Sequence, residues 1–216
     1  MTERATGVIL RTRPLTETSL IVQWLTADYG RISTVAKGAR RAKSPFAGKL
    51  DLFYEGEFSF VRSRRSDLHT LGEVAIRETN KALRRDLLCL RQAAYCAALL
   101  EQTTETGTPL PGVFELFQGV LHQIATTPPQ PRTVFGFELK LLRELGLEPD
   151  LQKTHLSAAA RQLVEDLVTS DWAGLAQLKP AQAPALELRR FLHGFLIYHL
   201  EKLPPGRNEA LKADGR

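Results

Sequence analysis

Five short segments with strand-like patterns occupy the first eighty residues, and their spacing restricts the possible folds more than any other feature of the chain. They cover residues 6–13, 20–26, 31–36, 52–61 and 68–77. Polar turns separate most of them, and a longer interruption lies between the third and the fourth segment. This arrangement predicts a small Greek-key β-barrel such as the OB-fold, with an SH3-like barrel as the alternative.

The hydrophobic period changes after residue 80. From Lys81 onward apolar residues recur at spacings of three and four, which is typical of amphipathic helices. Glycine and proline breaks delimit predicted helices over residues 81–104, 111–125, 132–145, 157–169 and 185–203. The predicted fold class is therefore multi-part α+β, with an N-terminal barrel domain of residues 1–79 and an all-α domain of residues 80–216. We expect a mobile tail from about Arg207, which follows Pro204-Pro205-Gly206.

The composition is that of a folded cytoplasmic protein. Hydrophobic residues make up 43% of the chain, which is ordinary for a protein with a buried core. No stretch reaches the roughly 18 unbroken apolar residues that cross a bilayer. Cys89 and Cys96 are nearly two helical turns apart, about 10 Å, which is beyond disulfide reach. We expect both to be reduced core residues.

Positive charge is concentrated in the interruption between the third and fourth segments. Residues 31–49 contain six cations and no acid, whereas the whole chain carries a net charge of +5. A cationic run without interleaved acids favours a polyanion partner. Gly38 and Gly48 suggest a mobile backbone in this loop. With cations of the first strand and the last turn added, the predicted nucleic-acid-binding residues are Arg11, Arg13, Arg31, Lys37, Arg40, Arg41, Lys43, Lys49, Arg62, Arg64 and Arg65.

Aromatic residues of the predicted barrel are candidates for stacking on nucleic-acid bases, although for each one taken singly filling the barrel interior is the better explanation. Tyr29 and Phe46 are favoured for stacking because they lie in a turn and a loop. The other candidates are Trp24, Phe53, Tyr54 and Phe60.

Several stretches of the N-terminal part resemble a known signature. The segments Gly7–Pro14, Glu17–Val22, Gly30–Arg31 and Val35–Arg40 match the RecO family of bacterial recombination mediator proteins in order and spacing. Further similarity lies in residues 46–53, 69–71, 137–147 and 198–200. The resemblance therefore covers most of the first eighty residues and parts of the helical remainder.

The resemblance implies a function. It implies an OB-fold followed by helices, and a nucleoid-associated cytoplasmic protein that binds single- and double-stranded DNA and anneals complementary strands. With RecR, such a protein helps RecA to replace the single-strand-binding protein. The acidic, apolar tail of the latter would dock on the helical part, where the third predicted helix offers Phe137, Lys140 and Arg143.

The chain departs from the family pattern after Gly146. Many members carry paired Cys-x-x-Cys motifs there, within a zinc-ribbon-like insertion, but residues 147–157 contain no cysteine. The insertion is therefore absent or shortened. No zinc is expected, because a structural zinc site needs about four nitrogen or sulfur ligands.

The sequence lacks the local signatures of common catalytic sites. It contains no Walker-type loop, no Gly-x-Ser-x-Gly and no Cys-x-x-Cys motif, and its five histidines are not spaced as a metal pair. We expect a non-enzyme without catalytic residues, metal or cofactor. Two alternatives are a protein adaptor whose helical part docks an acidic partner, and an RNA-binding OB module.

Overall fold

A long N-terminal strand closes a five-stranded barrel. In the computed structural model, which describes residues 2–212, strand β1 (Thr2–Pro14) pairs antiparallel with β2 (Leu20–Thr26) and with β4 (Glu55–Val61). β2 pairs with β3 (Gly30–Ala36), and β4 pairs with β5 (Leu68–Glu78). A short parallel pairing of β3 with β5 completes the closed order β1-β2-β3-β5-β4. This is the OB-fold arrangement, so the prediction is confirmed and the SH3-like alternative is excluded.

Two local features allow β1 to pair with two neighbouring strands, β2 and β4. A β-bulge between Ile9 and Arg11 shifts the register and bends the strand between its two pairings. At Gly7 the backbones approach closely, since a Cβ there would lie 2.8 Å from the carbonyl oxygen of Leu25. A side chain at this position would push β2 away and open the barrel.

Aromatic and β-branched side chains fill the barrel interior. Trp24 and Phe58 are stacked with ring centroids 4.1 Å apart, and both are almost completely buried. The indole N–H of Trp24 donates a hydrogen bond of 2.9 Å to the hydroxyl of Thr34, so this buried donor is satisfied. The alternating burial of β3 reflects one face in the core and one face outside, whereas most positions of β2 are buried.

The rest of the described chain is helical, as predicted. A 3-10 helix (Lys81–Arg85) and a shorter one (Leu151–Lys153) accompany α1 (Leu87–Thr103), α2 (Pro111–Thr126), α3 (Pro131–Glu144), α4 (Ala158–Thr169), α5 (Trp172–Gln177), α6 (Gln182–Leu200) and α7 (Arg207–Ala210). The first helix begins at Leu87 rather than Lys81. The carboxylate of Asp86 accepts a hydrogen bond from the backbone N–H of Leu88 at this start. Ser157 caps α4, because its hydroxyl accepts a hydrogen bond from the N–H of Ala160.

Two compact units divide the chain, and the first is not continuous in sequence. It comprises Met1–Lys81 with Thr104–Gln118, and the second comprises Ala82–Thr103 with Gly119–Arg216. Within the first unit the guanidinium of Arg31 donates to the hydroxyl of Thr104 at 2.9 Å, and the N–H of Gly107 donates to the carbonyl of Arg31 at 2.8 Å. The division into functional domains at residue 79 stays a prediction.

The predicted mobile tail from Arg207 is wrong for the residues up to 212. Arg207 begins α7 and is only 4% exposed. Its guanidinium makes two hydrogen bonds, of 2.6 and 2.8 Å, to the fully buried carboxylate of Glu138. This buried ion pair fixes the segment in the second unit. Residues 213–216 lie outside the described part of the chain.

Candidate nucleic-acid interface

The predicted cations form two groups at opposite ends of β3. The segment from Lys37 follows the last residue of β3, whereas Arg62, Arg64 and Arg65 lie in the β4–β5 loop, near the other end. β5 begins at Leu68 opposite Ser33, which places that loop toward the start of β3. Six residue steps of about 3.3 Å each separate the ends of β3 by roughly 20 Å. The predicted cations therefore do not all lie at one end of β3.

Five cations share the end where β3 stops, and we call them the loop-end cations. Arg13 pairs with Ile21, which pairs with Val35, so Arg13 lies two strand spacings, about 10 Å, from a residue two positions before Lys37. Arg40 joins the two loops at this end, since its backbone N–H donates to Thr18 O at 3.0 Å and its guanidinium to Thr16 O at 3.1 Å. The loop-end cations are Arg13, Lys37, Arg40, Arg41 and Lys43, whereas Arg11 lies level with Ser33, in the middle of β3.

The backbone of the cationic loop is anchored rather than mobile. Successive turns are closed by hydrogen bonds from the N–H of Arg41 to Gly38 O and from the N–H of Ser44 to Arg41 O, each 3.1 Å long. Gly38 has a φ of 70°, which a turn requires and which side chains disfavour. Phe46, 7% exposed, inserts into the barrel core. The loop therefore closes this end of the barrel and presents its cations outward.

Positive charge at this end is not neutralised by the protein. Within residues 2–212, no carboxylate forms an ion pair with Lys37, Arg41 or Lys43. All three side chains are exposed. Cations that are held near each other raise the local positive potential, which attracts polyanions. One exposed acid, Glu17, lies in the β1–β2 loop between the two residues whose carbonyls Arg40 binds. Lys49 lies apart, where it lines a cavity of about 680 Å³ together with Arg4.

The second group of cations, near the start of β3, is partly engaged in contacts within the protein. Arg62 makes two hydrogen bonds, of 3.0 and 3.2 Å, to the carboxylate of Glu3, and its guanidinium lies 5.6 Å from the ring centroid of Tyr29. The hydrogen bond from Arg62 lowers the pKa of Glu3. Arg64 and Arg65 are exposed. Arg31, bound to Thr104, and Arg62 therefore have structural roles that the sequence did not reveal.

Most of the aromatic stacking candidates are core residues. Trp24, Phe46, Phe53 and Phe60 are buried, so the expectation for Phe46 is wrong. A loop position suggested exposure, but the turns around Phe46 direct its ring into the barrel. Tyr29 is half-buried, with its ring edge against Phe60 at a centroid distance of 5.4 Å. Stacking on Tyr29 stays a prediction, as it does for the half-buried Tyr54.

The residues proposed to dock a partner tail do not form a surface. Phe137 has no exposed area and belongs to the core of the second unit. The amino group of Lys140 donates to the carbonyls of Val168 and Ser170 at 2.7 Å each, where it satisfies the C-terminal end of α4. Burial lowers the pKa of Lys140, with a smaller contribution from Arg143. Only Arg143 of the three is exposed.

No group of three or more His, Cys, Asp or Glu side chains in residues 2–212 is arranged to hold a metal ion. No helix in the same range combines the length and hydropathy of a membrane span. Cys89 and Cys96 are both buried and reduced, as expected.

Comparison with known proteins connects both parts of the chain to one family. The family model described as "Recombination protein O N terminal" matches residues 1–80, and "Recombination protein O C terminal" matches residues 84–160. Similar curated proteins are named "DNA repair protein RecO". The one from Rhodopirellula baltica is 34% identical over 147 residues, covering 68% of this chain and 54% of the relative.

Other relatives give the same result. The RecO of Listeria monocytogenes serotype 4b (strain CLIP80459) is 34% identical over 70% of this chain and 58% of its own length. The RecO of Anaeromyxobacter sp. (strain K) is 34% identical over 68% of this chain and 58% of its own. The chain thus spans little more than half the length of the curated relatives that it matches. With both family models matched and the OB-fold barrel in place, the chain belongs to the RecO family.

Proposed function

We propose that this chain is a non-enzymatic DNA-binding protein of recombinational DNA repair. It binds single- and double-stranded DNA and anneals complementary strands. Together with RecR it assists the loading of RecA onto DNA coated with single-strand-binding protein. The proposal is supported by the family membership and by the name "DNA repair protein RecO" that the relatives carry.

The observation that carries the proposal is the group of loop-end cations. Their charge is exposed and, for Lys37, Arg41 and Lys43, without a carboxylate partner among residues 2–212. Such a surface binds phosphates through charge and counterion release, without reading bases. Arg11, Arg13, Arg40, Lys49, Arg64 and Arg65 extend the proposed contact set.

Annealing follows from the same charge. Two complementary strands repel each other through their phosphates, and a protein that neutralises phosphates lowers this barrier without any covalent step. The anchored backbone of the loop holds the cations at a fixed spacing, so that the entropic cost of ordering them has been met on folding. Neither step needs a catalytic residue, in agreement with the expected non-enzyme.

Fluorescence-monitored annealing of complementary oligonucleotides tests the proposal. The full chain is expected to accelerate annealing over the spontaneous rate, both on bare strands and on strands coated with single-strand-binding protein. The variant Lys37→Glu/Arg41→Glu/Lys43→Glu is expected to lose most of the acceleration. A matched control reverses three exposed cations of the helical part, Arg91→Glu/Lys179→Glu/Arg190→Glu, and is expected to retain it. Annealing at the spontaneous rate with the unmodified chain would refute the proposal.

The protein-adaptor alternative is weakened, because two of its three proposed contact residues are engaged within the protein. Phe137 is buried in the core, and Lys140 donates hydrogen bonds to carbonyls at the end of α4. Docking of the single-strand-binding protein tail elsewhere on the helical part remains compatible with the proposal. RNA in place of DNA is an outcome of the same assay, read from a parallel set of RNA strands.

A further inference from the structure

Helix α6 buries one narrow stripe of residues, and its opposite face is exposed. Its buried residues are Leu188, Leu192 and Leu196, whose spacing of four places them along one side of the helix. At 3.6 residues per turn, a second set of residues lies on the side that faces away from this stripe. All members of that set are exposed, and we call them the outer face of α6: Leu186, Arg190, His193, Gly194, Ile197, Tyr198 and, at the C-cap, Glu201.

The outer face concentrates apolar surface. Three of the seven exposed large hydrophobic residues in residues 2–212 lie on it, namely Leu186, Ile197 and Tyr198, and Tyr198 is 83% exposed. Single exposed hydrophobic residues are ordinary on a protein surface, but several on one helix face indicate an interaction surface. The face is therefore suited to pack against another protein surface.

Gly194 lies in the middle of the outer face, and the packing within the chain does not require a glycine there. A Cβ at this position would meet no other part of residues 2–212 within 4 Å. Glycine inside a helix costs about 1 kcal/mol relative to alanine, so an isolated one usually has a packing reason. Close approach of a second helix from outside the chain would supply that reason.

Two opposite charges on the outer face have no partner in the described chain. Neither the guanidinium of Arg190 nor the carboxylate of Glu201 forms an ion pair or a hydrogen bond within residues 2–212. Eleven positions separate them, which is close to three helical turns and roughly 16 Å along the axis. The face thus carries a positive charge toward one end, a negative charge at the other, and apolar groups with a glycine between them.

We propose that the outer face of α6 pairs with the same face of a second copy of this chain, antiparallel about a two-fold axis. With the axis level with the midpoint between positions 195 and 196, Arg190 of each copy meets Glu201 of the other, twice in the dimer. Ile197 of each copy then lies over Gly194 of the other, where the missing side chain leaves room for it. A parallel pair in register would instead oppose each charge with its own kind. The inference goes beyond the proposed function and does not depend on DNA binding.

The dimer is expected to be weak. A single pair of helices buries less than the standard interface of about 1,600 Å², and a dissociation constant on the order of 10–100 µM is expected. The chain is then monomeric at the nanomolar concentrations of DNA-binding measurements. Charge reversals on α6 can therefore serve as controls in those measurements.

Sedimentation equilibrium of the full chain over about 5–500 µM tests the pairing. The weight-average mass is expected to rise with concentration from the monomer value of 24.1 kDa toward twice that value. Arg190→Glu and Glu201→Arg are each expected to raise the dissociation constant at least about tenfold, because like charges replace an ion pair twice in the dimer. The combined variant Arg190→Glu/Glu201→Arg exchanges the two charges and should return to within about threefold of the unmodified value.

Lys179→Glu is the matched control, because it makes the same change of charge at an exposed position outside the outer face. It is expected to leave the dissociation constant unchanged. Monomer mass at all concentrations of the unmodified chain would overturn the proposal. Single charge reversals without effect, or a combined variant that stays monomeric, would overturn it as well. Each of these results would leave the proposed DNA binding intact, since that activity is measured separately.

Discussion

Glu138 is a carboxylate buried without any exposed surface, and its environment explains why the chain tolerates it. The hydroxyl of Tyr95 and the Nε of Arg207 donate to one carboxylate oxygen at 2.5 and 2.6 Å, and Nη2 of Arg207 donates to the other at 2.8 Å. Burial, with the nearby carboxylate, raises the pKa of Tyr95 well above its usual range. Burial alone would lower the pKa of Arg207, but the hydrogen bonds and the charge of Glu138 outweigh the effect of burial. The pKa of Arg207 is therefore raised.

Replacing one partner of this pair leaves a buried charge without compensation. We expect Arg207→Met to lower the free energy of unfolding by about 3–5 kcal/mol, measured by urea denaturation. Adding Glu138→Gln removes the isolated charge and should recover part of the loss. Arg190→Met, on an exposed side chain, serves as the control and should change stability by less than about 0.5 kcal/mol. Equal stabilities of the Arg207 and Arg190 variants would show that the ion pair does not hold the C-terminal segment.

His69 makes the stability of the protein depend on pH in a defined direction. Its pKa in the folded protein is below the ordinary value of 6.5, first because of burial and second because of Arg62. Between the two pKa values the unfolded chain binds more protons, so the free energy of unfolding rises with pH. Stability from this residue is therefore lost as the pH falls below about 6.5.

The corresponding experiment compares melting temperatures at about pH 7.5 and about pH 5.5. The unmodified chain is expected to lose more stability over this interval than His69→Gln, whose side chain does not titrate. The carboxylates titrate in both proteins, so the difference between the two isolates the histidine. A pH dependence that is the same in both would mean that His69 is not desolvated in the folded state.

At the scale of elements, the β3–β4 connection contributes both a side chain of the barrel core and a charged surface. Phe46 is inside the barrel, and the preceding cations Arg40, Arg41 and Lys43 are exposed. We expect Phe46→Ala to lower the free energy of unfolding by about 3–5 kcal/mol because it leaves a cavity in the core. Below its melting temperature, the variant should keep the salt dependence of DNA binding. A large loss of affinity in a fully folded Phe46→Ala protein would revive the stacking role that we reject.

Helices and strands were predictable from the sequence wherever the local pattern of apolar residues determined the type of element. The apolar, β-branched run of β2 was predicted with the bounds that the structure has, Leu20–Thr26. The roles of Phe46 and Phe137 were not predictable, because burial depends on partners that are distant in sequence. The same holds for Arg207, whose partner Glu138 is 69 positions away. From the sequence alone, an arginine after Pro-Pro-Gly is typical of a solvated tail, because nothing near it in the sequence indicates that it pairs with the buried carboxylate of Glu138.

For the whole molecule, the separation of charge from the core explains how a small barrel can bind a long polyanion. The first eighty residues carry 13 Lys and Arg against 9 Asp and Glu. The structure places five exposed cations at one end of β3, and Arg62, Arg64 and Arg65 toward the other. A strand that contacted both ends would cross roughly 20 Å of barrel surface. The segment Thr104–Gln118 belongs to the same unit, so an isolated fragment of residues 1–81 would lack contacts of Arg31.

The most direct test of the account is the salt dependence of single-stranded DNA binding. Each phosphate contact contributes a slope of about −0.7 to log Kobs against log salt concentration. Lys37→Glu/Arg41→Glu/Lys43→Glu is expected to weaken binding and to flatten the slope by about 2, while Arg91→Glu/Lys179→Glu/Arg190→Glu leaves the slope unchanged. An unaltered affinity and slope in the first variant would contradict the account, because DNA would then bind elsewhere than at the loop-end cations.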